Sequence, residues 1–265
     1  MNETTLSTEA PERLAKPLPR VNTITLDHPW RWVAAGWRDL TQAPEYSLTY
    51  GAVFVVISFL LTMGLFSQDM FFLVPPLAAG YFLVAPMLGV SLYQVSRNLE
   101  EQQPVQFCQA LEAWNSNRVH LSAFGVVLLL ILIGWMMTAN LIFALFFTGP
   151  MPNWPNFVPE VFLSGNHMLF VTAGVLAGGV IAAFTFAISA IAAPLLMDRQ
   201  IDVVSAMQTS YQAVLKNWRP MLLWGALIVM FVGIGIVTFY AGLLVAMPLV
   251  GHATWHAYRD LVAQD

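Results

Sequence analysis

Long uncharged apolar stretches alternate along the chain with shorter segments whose apolar residues recur every three or four positions. The apolar stretches are 48–66, 71–95, 119–147, 168–197 and 220–258. Each exceeds the roughly 18 residues that mark a membrane span. The last is too long for one helix and reads as a hairpin turning near 238–242. This pattern predicts an all-α polytopic membrane protein with six transmembrane helices. In the fourth stretch Gly174 and Gly178 form a GxxxG pair that Gly179, Ala183 and Ala187 extend. Small residues let helices approach closely, so packing is the expected use of that face, and the helix is expected to be central.

The amphipathic segments are 27–42, 104–117 and 202–218. In the first, Trp30, Val33, Trp37 and Leu40 make one stripe, with Arg31, Arg38 and Asp39 opposite; Asp27 is its expected cap and Pro29 suits its first turn. The second places Phe107, Leu111 and Trp114 at helical spacing. The third is the cleanest, with Val204, Met207, Tyr211, Val214 and Trp218 alternating threes and fours. Such segments, tryptophan-rich and set just before a span, are expected to lie along the membrane surface.

Surface helix, span, span therefore occurs three times. The segment 80–99 (GYFLVAPMLGVSLYQVSRNL) and the segment 242–261 (GLLVAMPLVGHATWHAYRDL) share Gly80/Gly242, Pro86/Pro248, Gly89/Gly251, Arg97/Arg259 and Leu99/Leu261. The middle unit keeps Pro194 and Arg199 without that spacing. Asn117 and Asn217, like Gly125 and Gly225, hold similar places. The predicted organisation is a tail at 1–26 and a membrane domain at 27–262 made of repeats 27–99, 104–199 and 202–261. Each unit crosses an even number of times, so the repeats share one orientation, related by approximate threefold pseudo-symmetry about an axis along the membrane normal.

Composition agrees: 58% of the 265 residues are hydrophobic and 10% charged, with a mean hydropathy of +0.66. A net charge of -4 offers nucleic acid no basic footprint. The polar tail, with prolines at 11, 17 and 19, lacks the apolar core of a signal peptide. The single cysteine, Cys108, reads as a packed thiol without a redox role. All eleven lysines and arginines fall in the tail, the first amphipathic segment, the segments between hairpins or the carboxyl end, never in the outer connections. The positive-inside rule then puts both termini in the cytoplasm.

Chemistry is sparse. The span interiors carry no Asp, Glu, Lys or Arg, which argues against a proton-coupled pump. Nucleotide-binding, zinc-protease and nucleophile-elbow motifs are missing, so no enzyme is expected. The exception is the end of the last span. His252 and His256, four apart, share a helical face about 6 Å from each other. Trp255, Tyr258 and Arg259 adjoin them. The pair suits a zinc or copper ion with further ligands. A haem would need a second helix, for which His120 lies at similar depth. Hydrogen bonding to neighbouring helices is the plainer use of these histidines.

The ending GHATWHAYRDL after Pro248, the early NTITLDHPWRWVAAGWRDL and the PxLGxSLYxVSRxLE of the second span resemble a bacterial family of predicted integral membrane proteins, domain of unknown function 2189. The resemblance covers most of 21–262. It implies a multi-span protein of the inner (cytoplasmic) membrane without an established activity. Some members carry the label of a cytochrome c oxidase subunit, but the haem–copper core of an oxidase needs more histidines than the five here. Three readings follow: a non-enzymatic scaffold or accessory subunit acting through the lipid bilayer or a partner such as a respiratory complex, a haem- or metal-binding redox protein using His252 and His256, and a passive transporter along the pseudo-symmetry axis. A reporter fused after Asp265 is expected to be active only in its cytoplasmic form; activity confined to the outer side would reverse the topology.

Overall fold

A computed structural model describes residues 18–149 and 152–264, without the side chains of Cys108, Gln109 and Leu111. Most of the expected tail, the Cys108 thiol and the Leu111 side chain thus lie outside the described residues. The described chain is helical throughout, apart from one isolated antiparallel bridge between Val21 and Val262. In order, the helices are α1 (His28–Gln42), α2 (Pro44–Ser67), α3 (Val74–Leu88), α4 (Val90–Glu100), α5 (Phe107–Glu112), α6 (Arg118–Phe146), α7 (Trp154–Val158), α8 (Met168–Ser189), α9 (Ala192–Asp198), α10 (Val203–Lys216), α11 (Trp218–Val237) and α12 (Leu243–Leu261). The second and fourth apolar stretches each continue through a break, at Gly89 and at Ala190–Ile191, into the short helices α4 and α9.

Five helical segments are long and apolar enough to cross a membrane: Pro44–Ser67, Phe71–Leu88, Ala113–Phe146, Met168–Asp198 and Trp218–Val237. The sixth expected span, α12, falls short on apolarity because His252, His256, Arg259 and Asp260 sit in it. Its surroundings explain how it tolerates them. Thirteen of its nineteen residues are buried, and α1, α2, α4 and α11 all pack on it. Polar groups at membrane depth are stable when protein, not lipid, surrounds them.

The helix most surrounded by others is therefore α12, while the fourth stretch, expected to be central, is central only in its second half, where Ile191–Met197 are buried in the core. The first half of α8 turns Met168, Val175 and Val180 outward. Of its glycines, only Gly178 meets a neighbour, the Trp135 ring of α6, while the space beside Gly174 and Gly179 is open. The close glycine contacts lie on α12 instead. A Cβ on Gly51 of α2 would stand 2.1 Å from the Leu244 carbonyl oxygen, and one on Gly36 of α1 2.7 Å from the Ala253 nitrogen.

The amphipathic helices turn much of their large apolar stripe away from the protein, as helices lying along a membrane surface do. In α10 the protein-facing side is the small one, Ala206, Thr209, Ser210 and Ala213, while Val204, Tyr211 and Leu215 point outward. In α1, Trp30 and Trp37 are outside; Trp32, Gly36 and Asp39 are inside. An apolar stripe marks the core in a soluble protein, but beside a bilayer it can equally face lipid. Asp202 caps α10 by accepting from the Ser205 N–H at 2.9 Å. Asp27 occupies the matching position on α1 without a side-chain cap bond.

The helices fall into two groups. One is α2, α12 and α11; the other is α3, α6 and α8, in which α6 packs on both partners. Between the groups, α2 barely touches α3 and α8 barely touches α11.

The glycine contacts make a test. Gly51→Ala forces a methyl into backbone that no side-chain rotation relieves, and is expected to cost on the order of 2–3 kcal/mol or more. Gly179→Ala, with open space beside it, leaves stability unchanged or slightly raised. Melting temperatures in mild detergent check both.

Candidate functional site

At the carboxyl end of α12, successive turns reach different helices. His252 is fully buried between Ser47 of α2, whose Oγ lies 2.9 Å from Nε2, and Ser96 of α4, whose Oγ lies 2.8 Å from Nδ1. The Ser47 hydroxyl already donates to the Ala43 carbonyl at 2.8 Å. It must therefore accept from the Nε2–H, which leaves Nδ1 to accept from the Ser96 hydroxyl. Both nitrogens of a neutral imidazole are thereby used. One turn on, His256 Nε2 meets Asp39 Oδ2 of α1 at 2.8 Å.

The remaining side chains complete the ring of attachments. The Trp255 indole N–H donates to Glu100 Oε2 at 2.9 Å, and Arg259 pairs with Glu100 Oε1 while lying over the Trp255 ring. The Tyr258 hydroxyl donates to Asp198 Oδ2 at 2.5 Å, and Arg97 approaches the other oxygen of that carboxylate at 3.4 Å. Burial pulls the Arg97 guanidinium down, but its bond to Glu101 and the charge of Asp198 outweigh that and hold it above its ordinary value. Asp260 accepts from the Trp32 indole at 2.7 Å.

The structure thus brings together His252, Trp255, His256, Tyr258 and Arg259, each with a partner on another helix. His120 stands apart in the first turn of α6, a helix that packs chiefly on α3 and α8. Among the described residues no three His, Cys, Asp or Glu side chains are grouped so that they could hold one metal ion. A metal on His252 would have to displace the Ser96 hydroxyl from the only free lone pair of the ring.

The feature that sequence reasoning missed is a cavity of about 740 Å³ between the two helix groups. Its walls are almost wholly apolar, with Leu83, Phe186, Met221 and Met247 among them, and its few polar side chains include Tyr50, Ser189 and Thr254. A second cavity of about 440 Å³, between α3, α6 and α8, shares Phe82, Leu83, Ala182 and Val229 with the first. Gly174, Gly178 and Gly179 line it. The small face of α8 thus borders open space more than it packs. The available signal was this density of small residues together with Gly225; sequence alone does not say whether such residues meet a helix or a void.

Residues 73–198 match the model of a family described as predicted integral membrane protein (DUF2189). The match runs from α3 through α9, just under half of the chain, and over that stretch it bears out the resemblance read from the sequence. It takes in one side of the first cavity and nearly all the lining of the second, and ends before α12. No curated protein and no solved structure matches the chain.

The His252 bonds carry a prediction. His252→Ala leaves two buried serine hydroxyls without their partner and is expected to cost about 2–4 kcal/mol from the lost bonds and the void. His120→Ala, on a partly exposed residue, has little effect. Thermal unfolding of the two variants side by side checks the contrast.

Proposed function

We propose that this integral membrane protein is a non-enzymatic, six-span protein of the bacterial inner membrane that acts through lipid, holding hydrocarbon in its central cavity. Its three repeats surround that cavity, its termini face the cytoplasm, and the polar end of α12 is a structural clamp.

The cavity carries this reading. A volume of about 740 Å³ lies well within the range of ligand sites. Its walls offer a polar solute few hydrogen bonds, and desolvating such a solute without compensation costs several kcal/mol. Hydrocarbon enters at no such cost, which favours lipid over a passage for polar small molecules. The serine bonds on both nitrogens of His252 likewise support a structural histidine over a metal or haem ligand.

Cyclic packing supports the threefold arrangement. Each surface segment leans on the second span of the preceding unit: α1 on α12, α5 on α4, α10 on α8 and α9. The junctions into the first spans share similar backbone angles, at Ala43 (φ -125, ψ 58), Asn117 (φ -145, ψ 55) and Asn217 (φ -116, ψ 38). Eight residues past each junction stands a glycine: Gly51, Gly125 and Gly225. These face the second span of the preceding unit at Leu244, Met87 and Phe186. The asparagine side chains also reach matching linkers, Asn117 to the Ile201 carbonyl and Asn217 to the Asn22 carbonyl.

Lipid analysis tests the proposal. Protein purified in mild detergent is expected to retain stoichiometric lipid by native mass spectrometry. Ala182→Trp, which fills the wall common to both cavities, is expected to lose it while keeping its melting temperature. Unchanged lipid retention in a folded Ala182→Trp protein would contradict the reading.

A further inference from the structure

Resting on the lipid reading above, we infer that the cavity takes up an acyl chain of an anionic lipid sideways from the bilayer, through a mouth between α8 and α11, with the headgroup held at Arg219 beside Trp218.

Two gaps separate the helix groups, and they differ. Across the gap between α2 and α3, the Tyr50 hydroxyl donates to the Leu88 carbonyl and the Phe54 and Tyr81 rings meet edge to face at 6.0 Å. Aromatic side chains close that side. Between α8 and α11 the cavity wall is itself outside surface: Leu222 is 68% exposed and Val229 58%, with Ala182 and Ala183 exposed opposite them. The Phe186 ring reaches across there, lying 3.6 Å from where a Gly225 Cβ would stand.

The shape of the opening selects a long ligand. Its wall on α11 runs from Trp218 to Val232, about 21 Å at 1.5 Å per residue. That is more than half of the roughly 30 Å hydrocarbon thickness. An extended chain fits such a slot lengthwise; a compact apolar molecule leaves most of it empty.

Charge selects the headgroup. Trp218 stands on the rim, 57% exposed, and the Arg219 guanidinium lies 5.1 Å above its ring. Among the described residues Arg219 has no carboxylate partner. Lys216 adds a second positive charge one turn earlier, where its Nζ holds the Val21 carbonyl. A tryptophan at headgroup level beside an uncompensated arginine suits a phosphate carrying net negative charge.

The test uses the full chain in vesicles of equal phosphatidylglycerol and phosphatidylethanolamine, followed by extraction and native mass spectrometry. The protein is expected to hold phosphatidylglycerol several-fold above its share of the mixture. Arg219→Gln is expected to return that ratio to the mixture's while total bound lipid stays constant, and Arg219→Lys to keep most of the enrichment. Enrichment that persists in Arg219→Gln overturns the headgroup assignment and leaves the cavity reading standing. No bound lipid in the unaltered protein overturns both. For the mouth, Gly225→Leu wedges against Phe186 and is expected to slow exchange of bound lipid several-fold, whereas Gly64→Leu, beside open space, does not. Equal exchange rates in the two folded variants overturn the sideways route.

Discussion

A helix that carries histidines, an arginine and an aspartate into a membrane domain must hide them from lipid, and α12 does so by being surrounded. The polar side chains at its end pair with four surrounding helices: with Ser47 on α2, Asp39 on α1, Ser96 and Glu100 on α4, and Asp198 on α9. Apolar burial drives little helix association inside a bilayer, because lipid tails are as apolar as leucine. Close glycine contacts and buried hydrogen bonds therefore do that work, and both concentrate on α12.

The same concentration accounts for the cavity. Gly51 brings α2 against the backbone of α12. Gly125 of α6 and Gly225 of α11 instead meet side chains, Met87 and Phe186. The Phe186 ring holds α8 off α11, and the space left along that seam opens into the cavity between the helix groups. One tight interface and one wedged interface leave a helical bundle with a lateral opening.

Much of this fold was legible in the sequence. Apolar length located five spans, missing single ends by up to seven residues, and the turn at 238–242 lies where the last stretch had to reverse. The outward Trp30, Trp37, Val204 and Tyr211 suit the expected surface helices. The inward Asp39 and Leu40 of α1 and the small inner face of α10 were not legible, because a hydrophobic period does not say whether lipid or protein lies beyond each face. The candidate cluster was half legible: spacing put His252 and His256 on one face, but not that two serines and an aspartate from distant helices satisfy them. The cavity was invisible, because small residues read alike whether they touch a neighbour or border a void.

The most direct measurement is a high-resolution density map of the full chain in a lipid nanodisc. The account predicts a continuous tube of non-protein density in the central cavity, running along α11 from Trp218 toward Val232. An empty cavity, or α8 packed directly against α11 with Phe186 displaced, would contradict it.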